Sequence, residues 1–575
     1  MPASRIAEVS ITDKNSSSED LSKHKINPPL PTLWSSYDVP TTLLGKTQQQ
    51  LDTIYENALA SQNVYMPRSS VGKVVVPALC LGGPPFMYGY AFRTQRLLFG
   101  WIPPMVFLPM NLVLFPVGLL VGCAATLPLA YGIVAGLFCS WSWITAAGAV
   151  CVYEQTRYST KVMQRALALG INHIETARHY LTSEAFIRPV VKSVGRKRLV
   201  LQTKVRPYEG ARGFVDTVRE CCNTLGVQKI DLLALHGVNK NSFAQEAKAC
   251  AAAIVGKGMV ESLGFSFHCR TDDAIELINS GKFSYVNCHF NFFGSYTNLT
   301  NERAVAAAHK RGMSVMCISP NHQSGHLHSP SVELLELCKP LHPMHFNMLF
   351  QLTYPGVSCT SIGPGRLEHF QLPEEVLKLL PVAKELLPTI VHRLRTRAKE
   401  RLGERFLNGC DAAVGPLAQG AGEWGDEEHA APIAVCLLTM CASLNRAFAL
   451  KSFGKAMHTN LSWPGDWCCG KNADSVPGRE EDIRRNLDLR RSGGIWVEED
   501  REQCISMLRN YKREFGIPDG KSGATAMQGG GLASRFLKCI NEALFAYVFW
   551  WMRYSSSLFG FTQTKEHGSM PTTAN

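Results

Sequence analysis

Gly170-Ile-Asn-His-Ile-Glu-Thr-Ala-Arg-His-Tyr180 is the stretch on which the reading of this chain turns. Ile171–Glu175 is a strand-like run that ends on a carboxylate, and a tyrosine stands just beyond it. The same form recurs downstream. Leu199–Thr203 runs into Lys204, and Ile230–His236 ends on a histidine. Leu263–His268, Tyr285–Asn291, Ser314–Ser319 and Val357–Ile362 complete the strand-like series, and Lys73–Gly83 upstream, centred near Val75, reads as a first buried strand ending at a glycine turn. Amphipathic helices separate them: Phe214–Leu225, with Phe214, Val218, Cys222 and Leu225 on one face, and Phe243–Val260, with Phe243, Ala247, Ile254 and Val255 on its apolar side. Strands alternating with helices imply a parallel sheet. Eight of them predict a (β/α)8 TIM barrel over residues 71–380, interrupted by an apolar insertion over 97–153. Without the insertion about 250 residues remain, the usual size of that fold.

In such a barrel the strand ends meet at one rim, where catalytic groups collect. Glu175, Tyr180, Lys204 and His236 stand at or just past the ends of the second, third and fourth strands. Reducing a carbonyl with a nicotinamide requires a hydride donor and a proton donor for the developing alkoxide. A tyrosine serves as that acid when a nearby ammonium lowers its pKa from about 10. A carboxylate holds the lysine that supplies the charge, and a histidine orients the carbonyl or shares the proton relay.

The local sequences resemble the aldo-keto reductase family. The resemblance rests on Gly170–Tyr180, Ser183-Glu184, Gln202-Thr-Lys204, Leu225-Gly226 followed by Ile230–His236, and Gly258–Ser266, in that order. It covers about half of the chain. It implies Tyr180 as general acid, Lys204 as its pKa partner and His236 as the third member, with Glu175 where the family carries aspartate. The extra methylene moves the carboxylate by roughly an ångström, an error of the size that matters for proton and hydride transfer. The resemblance also places Ser266 and Asn287 near a nicotinamide carboxamide, although one branch of the family has glutamine at the Asn287 position. Ser319 resembles a serine near the pyrophosphate, and Gly363-Pro-Gly-Arg366 a phosphate loop, in keeping with phosphate sites after strands 7 and 8 of such barrels. Arg366 paired with a 2′-phosphate favours NADP(H) over NAD.

Leu97–Tyr153 contains no Asp, Glu, Lys or Arg. As one helix it would extend about 85 Å, against about 30 Å per bilayer crossing. The expectation is a transmembrane helical hairpin, 105–123 and 130–152, with G-x-x-x-G at Gly118/Gly122 and Gly132/Gly136. Arg93, Arg96, Arg157 and Lys161 flank its ends and put them, with the barrel, on the cytoplasmic side. A soluble cytoplasmic protein is the alternative.

Residues 1–70 read as a flexible Ser-rich leader without a signal peptide. Residues 381–520 read as a mainly helical extension, with helices at 382–402 and 432–457 and loops at 463–470 and 492–494. Residues 521–575 read as a linker and a short aromatic run, 544–552, suited to an interfacial helix. The net charge of +12 is spread through mixed-sign segments, so no nucleic acid is expected as a partner. The 19 cysteines form no C-x2-C pair, which argues for a reducing compartment. No metal is expected either. Cys468-Cys469 lacks the neighbours an iron–sulfur cluster needs, and His268, His289, His322, His326 and His328 share no spacing.

The expected activity is a membrane-associated, NADP-dependent oxidoreductase acting on a small carbonyl or alcohol substrate. The alternative is an impaired barrel of the same type that binds nicotinamide as a sensor or membrane scaffold.

Overall fold

The structure is a computed structural model. It describes residues 46–82 and 155–517, apart from short stretches at 181, 208–209, 239–240, 268–270, 294–300, 322–325 and 415–426 and several positions between 462 and 488. The expected membrane hairpin at 97–153 and the aromatic run at 544–552 lie outside the described residues. Among the described residues no helix is long and apolar enough to cross a membrane.

Eight parallel strands close into a barrel: β3 (Leu79–Leu81), β4 (His173–Glu175), β5 (Val200–Val205), β6 (Ile230–Val238), β7 (Val260–Phe267), β8 (Tyr285–Cys288), β9 (Ser314–Cys317) and β10 (Val357–Ile362), with β10 returning to pair with β3. Helices follow most strands, among them Ser183–Val194, Gly210–Leu225, Asn241–Ile254, Thr271–Asn279 and Glu302–Lys310.

The first strand is not where the sequence put it. Lys73–Gly83 splits at Pro77, which has no N–H to continue a ladder. Val74–Pro77 (β2) pairs antiparallel with Arg68–Val71 (β1), and Val75 is largely exposed. Only the residues after Pro77 enter the barrel. The β1–β2 hairpin closes the barrel's N-terminal end: Ser262 Oγ donates to the Val71 carbonyl (3.0 Å) and Ser314 Oγ to that of Ser70 (3.1 Å). Its turn needs glycine, because Gly72 has φ +59° and a Cβ there would sit 2.5 Å from Ser262 Oγ.

The expected flexible leader is also ordered in its last third. Thr47 and Gln50 cap helix Gln48–Ala60 reciprocally, Leu51 is buried, and Arg393 donates to Gln48 at 2.9 Å. The helix expected over 243–260 ends at Ile254. Gly256 and Gly258 then take positive φ, and Val255, expected on the apolar face, is exposed. The 432–457 helix is two, Glu427–Phe448 and Lys451–Leu461, broken at Ala449 with φ +54°. Two-residue strands, Pro464–Gly465 and Cys468–Cys469, pair where a loop was expected.

The extension shares the barrel's core. Ala383–Leu402 follows the barrel's last helix and buries Leu386, Ile390 and Leu394. Phe448 packs edge-on against Phe293 (5.5 Å), and its carbonyl accepts from Ser331 Oγ (2.9 Å). Arg397 pairs with Glu333 at 2.8 Å.

Candidate active site

Strand side chains alternate between faces, so every second residue of a barrel strand points inward. The register aligns Val200, Gln202 and Lys204 of β5 with His173 and Glu175 of β4 and with Leu232 and Ala234 of β6. On β5 and β6 the inward series rises from apolar residues, Val200 and Leu232, to polar ones at the opposite, C-terminal rim, Lys204 and His236. The barrel floor thus supplies packing and its rim supplies chemistry.

At that rim Glu175 closes β4 and Lys204 lies near the end of β5. Both are almost fully buried and form a direct ion pair. The second carboxylate oxygen of Glu175 accepts from Ser361 Oγ of β10 at 3.0 Å. Burial works against the Lys204 charge, but the Glu175 carboxylate and the Tyr180 side chain outweigh it and raise the ammonium's pKa. The lysine is therefore a permanent cation, its Nζ 5.0 Å from the centre of the Tyr180 ring.

Tyr180 is delivered by the loop after β4. Thr176 N–H donates to the Gln202 carbonyl (2.8 Å) and Arg178 N–H to that of Lys204 (2.9 Å), which carries the strand past Glu175. Two turns follow, Tyr180 N–H to Ala177 O and Ser183 N–H to Tyr180 O, both 2.9 Å. Ser183 and Glu184 hold this loop. Thr176 Oγ1 bonds Ser183 Oγ (2.7 Å), and the buried Glu184 accepts from Thr203 (2.7 Å) and pairs with Arg178 (3.2 Å).

The fourth member meets them from β6. The His236 ring stands edge-on to Tyr180, centroids 5.7 Å apart at 87°. Burial, then the nearby Lys204, Arg206 and His179, push its pKa well below the usual histidine value, so it is neutral. Its Nδ1 is buried with no hydrogen-bond partner.

Next around the rim, Ser266 of β7 and Asn287 of β8 are register partners and both buried. Asn287 Oδ1 accepts from Gln202 Nε2 at 3.1 Å, while Ser266 Oγ has no partner. A buried hydroxyl left unsatisfied costs about 1–3 kcal/mol. With His236 Nδ1 it marks a place where a polar molecule completes the site, and the residues present fit a carboxamide-bearing ring. Ser319 follows β9 in a left-handed conformation, φ +50°. Gly363 follows β10 directly, and Arg366 opens the turn Leu367–Phe370, exposed and without an ion pair among the described residues.

The structure thus brings Glu175, Tyr180, Lys204 and His236 into one cluster. It sets Ser266 and Asn287 together on adjacent strands, and Ser319, Gly363 and Arg366 at the ends of the last two. Sequence reasoning missed Ser361, Gln202, His179 and Arg206. Ser361 and Gln202 were findable by period two, since each lies two residues along its strand from another inward residue, Cys359 and Lys204.

Residues 150–354 match the family model described as the Aldo/keto reductase family. This segment belongs to the aldo/keto reductase family. An aldo-keto reductase of Strobilurus tenacellus is 34% identical over 122 residues, 20% of this chain and 36% of its own length. The chain therefore spans about a third of that curated relative. The holo form of a Bacillus halodurans aldo-keto reductase aligns over 57% of this chain and 96% of its own, at 16% identity and a TM-score of 0.40. A Klebsiella pneumoniae aldo/keto reductase in complex with NADP and acetate aligns over 40% of this chain and 84% of its own, at 16% identity and a TM-score of 0.33. In this aldo/keto reductase segment the clustered residues come from three successive strands and the loop after the first of them.

Proposed function

We propose that the chain is a nicotinamide-dependent oxidoreductase that interconverts a carbonyl and an alcohol at the C-terminal rim of its barrel. The observation that carries this reading is the buried Lys204–Glu175 pair set beneath Tyr180, with a neutral His236 against the same ring. A bound nicotinamide supplies the hydride. Lys204 stabilises negative charge on the Tyr180 oxygen, which lets that hydroxyl give its proton to a carbonyl oxygen as charge develops there. Glu175 keeps the ammonium in place, and Ser361 keeps Glu175 in place. Neutral His236 offers a hydrogen bond to the substrate oxygen without competing for the proton. Ser266 and Asn287 hold the carboxamide, and Arg366 selects a 2′-phosphate, so NADP(H) is the cofactor. Fluorescence titration tests this: NADPH binds the wild-type chain more tightly than NADH. Arg366→Glu weakens NADPH about tenfold, ~1.4 kcal/mol, and leaves NADH unchanged. Equal affinity for both cofactors in both proteins removes the assignment of Arg366.

A second reading has one observation in its favour. Glu175 is longer than aspartate and is already engaged on both oxygens, by Lys204 and Ser361. A tetrad drawn together this way suits a barrel that binds nicotinamide as a sensor and turns over slowly. Under that reading Glu175→Asp raises the rate of NADPH-dependent aldehyde reduction by tenfold or more. An unchanged or lower rate shows that the glutamate is no impairment.

A further inference from the structure

Beneath the rim the barrel interior holds a second cluster that the reaction does not use. Cys80 of β3, His173 of β4 and Cys359 of β10 come from three adjacent strands, and all three are buried, at 2%, 0% and 0% exposure. Their Sγ and ring-nitrogen atoms lie within 4.8 Å of one another, with Cys359 Sγ 3.9 Å from His173 Nδ1.

The hydrogen bonds around His173 fix what each nitrogen does. Gln202 gives its amide N–H to Asn287 Oδ1 (3.1 Å), so its own carbonyl oxygen faces His173 Nε2 at 2.9 Å. That nitrogen must carry the ring hydrogen. The ring is fully buried, which disfavours a second ring proton, so it holds one hydrogen only. Nδ1 therefore turns a lone pair toward the two sulfurs. A histidine whose far nitrogen donates to a neighbouring oxygen is the arrangement that orients and tautomerises a metal ligand.

We propose that Cys80, His173 and Cys359 form a site for a thiophilic divalent cation, Zn2+, inside the barrel. Zinc bonds of about 2.3 Å to sulfur and 2.0 Å to nitrogen put donor atoms roughly 3.5–3.8 Å apart, so the cluster closes around an ion with movements of about an ångström. The charge balances. As Zn2+ enters, each thiol loses its proton, two protons leave, and two thiolates neutralise the ion, so no net charge is left in the interior. The site ties β3, β4 and β10 together two residues below Glu175 of β4. No local motif announces it, because its ligands are scattered over residues 80, 173 and 359 and meet only when the barrel closes.

The test uses the full chain, purified without chelator and dialysed against metal-free buffer. Elemental analysis then finds about one zinc per chain, and X-ray absorption at the zinc edge finds two sulfur ligands and an imidazole nitrogen. The Cys80→Ser/Cys359→Ser chain retains none. A wild-type chain that keeps no zinc when zinc is supplied overturns the proposal. So does zinc that survives loss of both cysteines, or an absorption spectrum of oxygen ligands. The wild-type spectrum decides alone if the double variant does not fold. NADPH binding, read separately, tests the rim chemistry, and its result does not bear on the zinc.

Discussion

Lys204 is costly to bury, and its surroundings are arranged around that cost. A buried charge stripped of its partner destabilises by about 3–5 kcal/mol. Glu175 therefore stabilises the fold as well as the chemistry, and Glu175→Asp, which keeps the charge, is more informative than Glu175→Ala. Histidines carry the acid response. His289, just past β8, is partly buried, and desolvation pushes its pKa down to about 4 from 6.5. Its folded pKa lies below its unfolded one, so the unfolded chain takes up the proton first. The stability it contributes is present above pH 6.5 and is lost as pH falls from 6.5 to 4, a loss of roughly 3 kcal/mol. Chemical denaturation across that window should show a shallower decline for His289→Gln. Superimposable pH profiles would mean that His289 does not titrate this way.

At the scale of elements, Gly264 shows how tightly the strands interlock. It lies opposite Tyr285 in the β7–β8 register, and a Cβ there would come within 2.6 Å of the tyrosine ring. Gly264→Ala should cost about 1–3 kcal/mol of unfolding free energy, read by urea denaturation. Tyr285→Leu in the same chain should recover most of it. A silent Gly264→Ala would show that the ring does not fill that space. Element boundaries were the part least legible in the sequence, for identifiable reasons. Val74–Leu81 is uniformly apolar, and hydrophobicity alone does not reveal that Pro77 divides it between a hairpin and the barrel. Phe243–Val260 keeps helical periodicity past Ile254, while Gly256 and Gly258 turn the chain toward β7. Rim residues were legible because strands keep period two: a carboxylate, a lysine and a histidine ending three successive parallel strands must share one edge of the sheet.

At the scale of the whole molecule, the barrel was readable because it repeats, and the extension was readable as helices, the first of them at Ala383–Leu402, but not in where they dock. Amphipathic helices declare that one face is buried, not against what. Nothing in Ala383–Leu402 or Glu427–Phe448 announces that Phe448 packs on Phe293, or that Arg393 reaches back to Gln48. Leu51 and helix Gln48–Ala60 were hidden in a Ser-rich leader for the same reason. Their partners lie more than 300 positions away, on Gln371–Leu379 and Ala383–Leu402. The Cys80–His173–Cys359 cluster belongs to this scale too, since only closure of the ring between β10 and β3 assembles it.

Turnover of the full chain with and without the Tyr180 hydroxyl tests the central claim most directly. NADPH-dependent reduction of a reactive aldehyde is measured at saturating cofactor for the wild-type chain and for Tyr180→Phe, with cofactor affinity read in parallel. The account predicts that the rate falls by about 10²–10⁴-fold, the usual worth of a positioned proton donor, while NADPH affinity stays within about twofold. Equal rates in the two proteins, with cofactor bound in both, would contradict it.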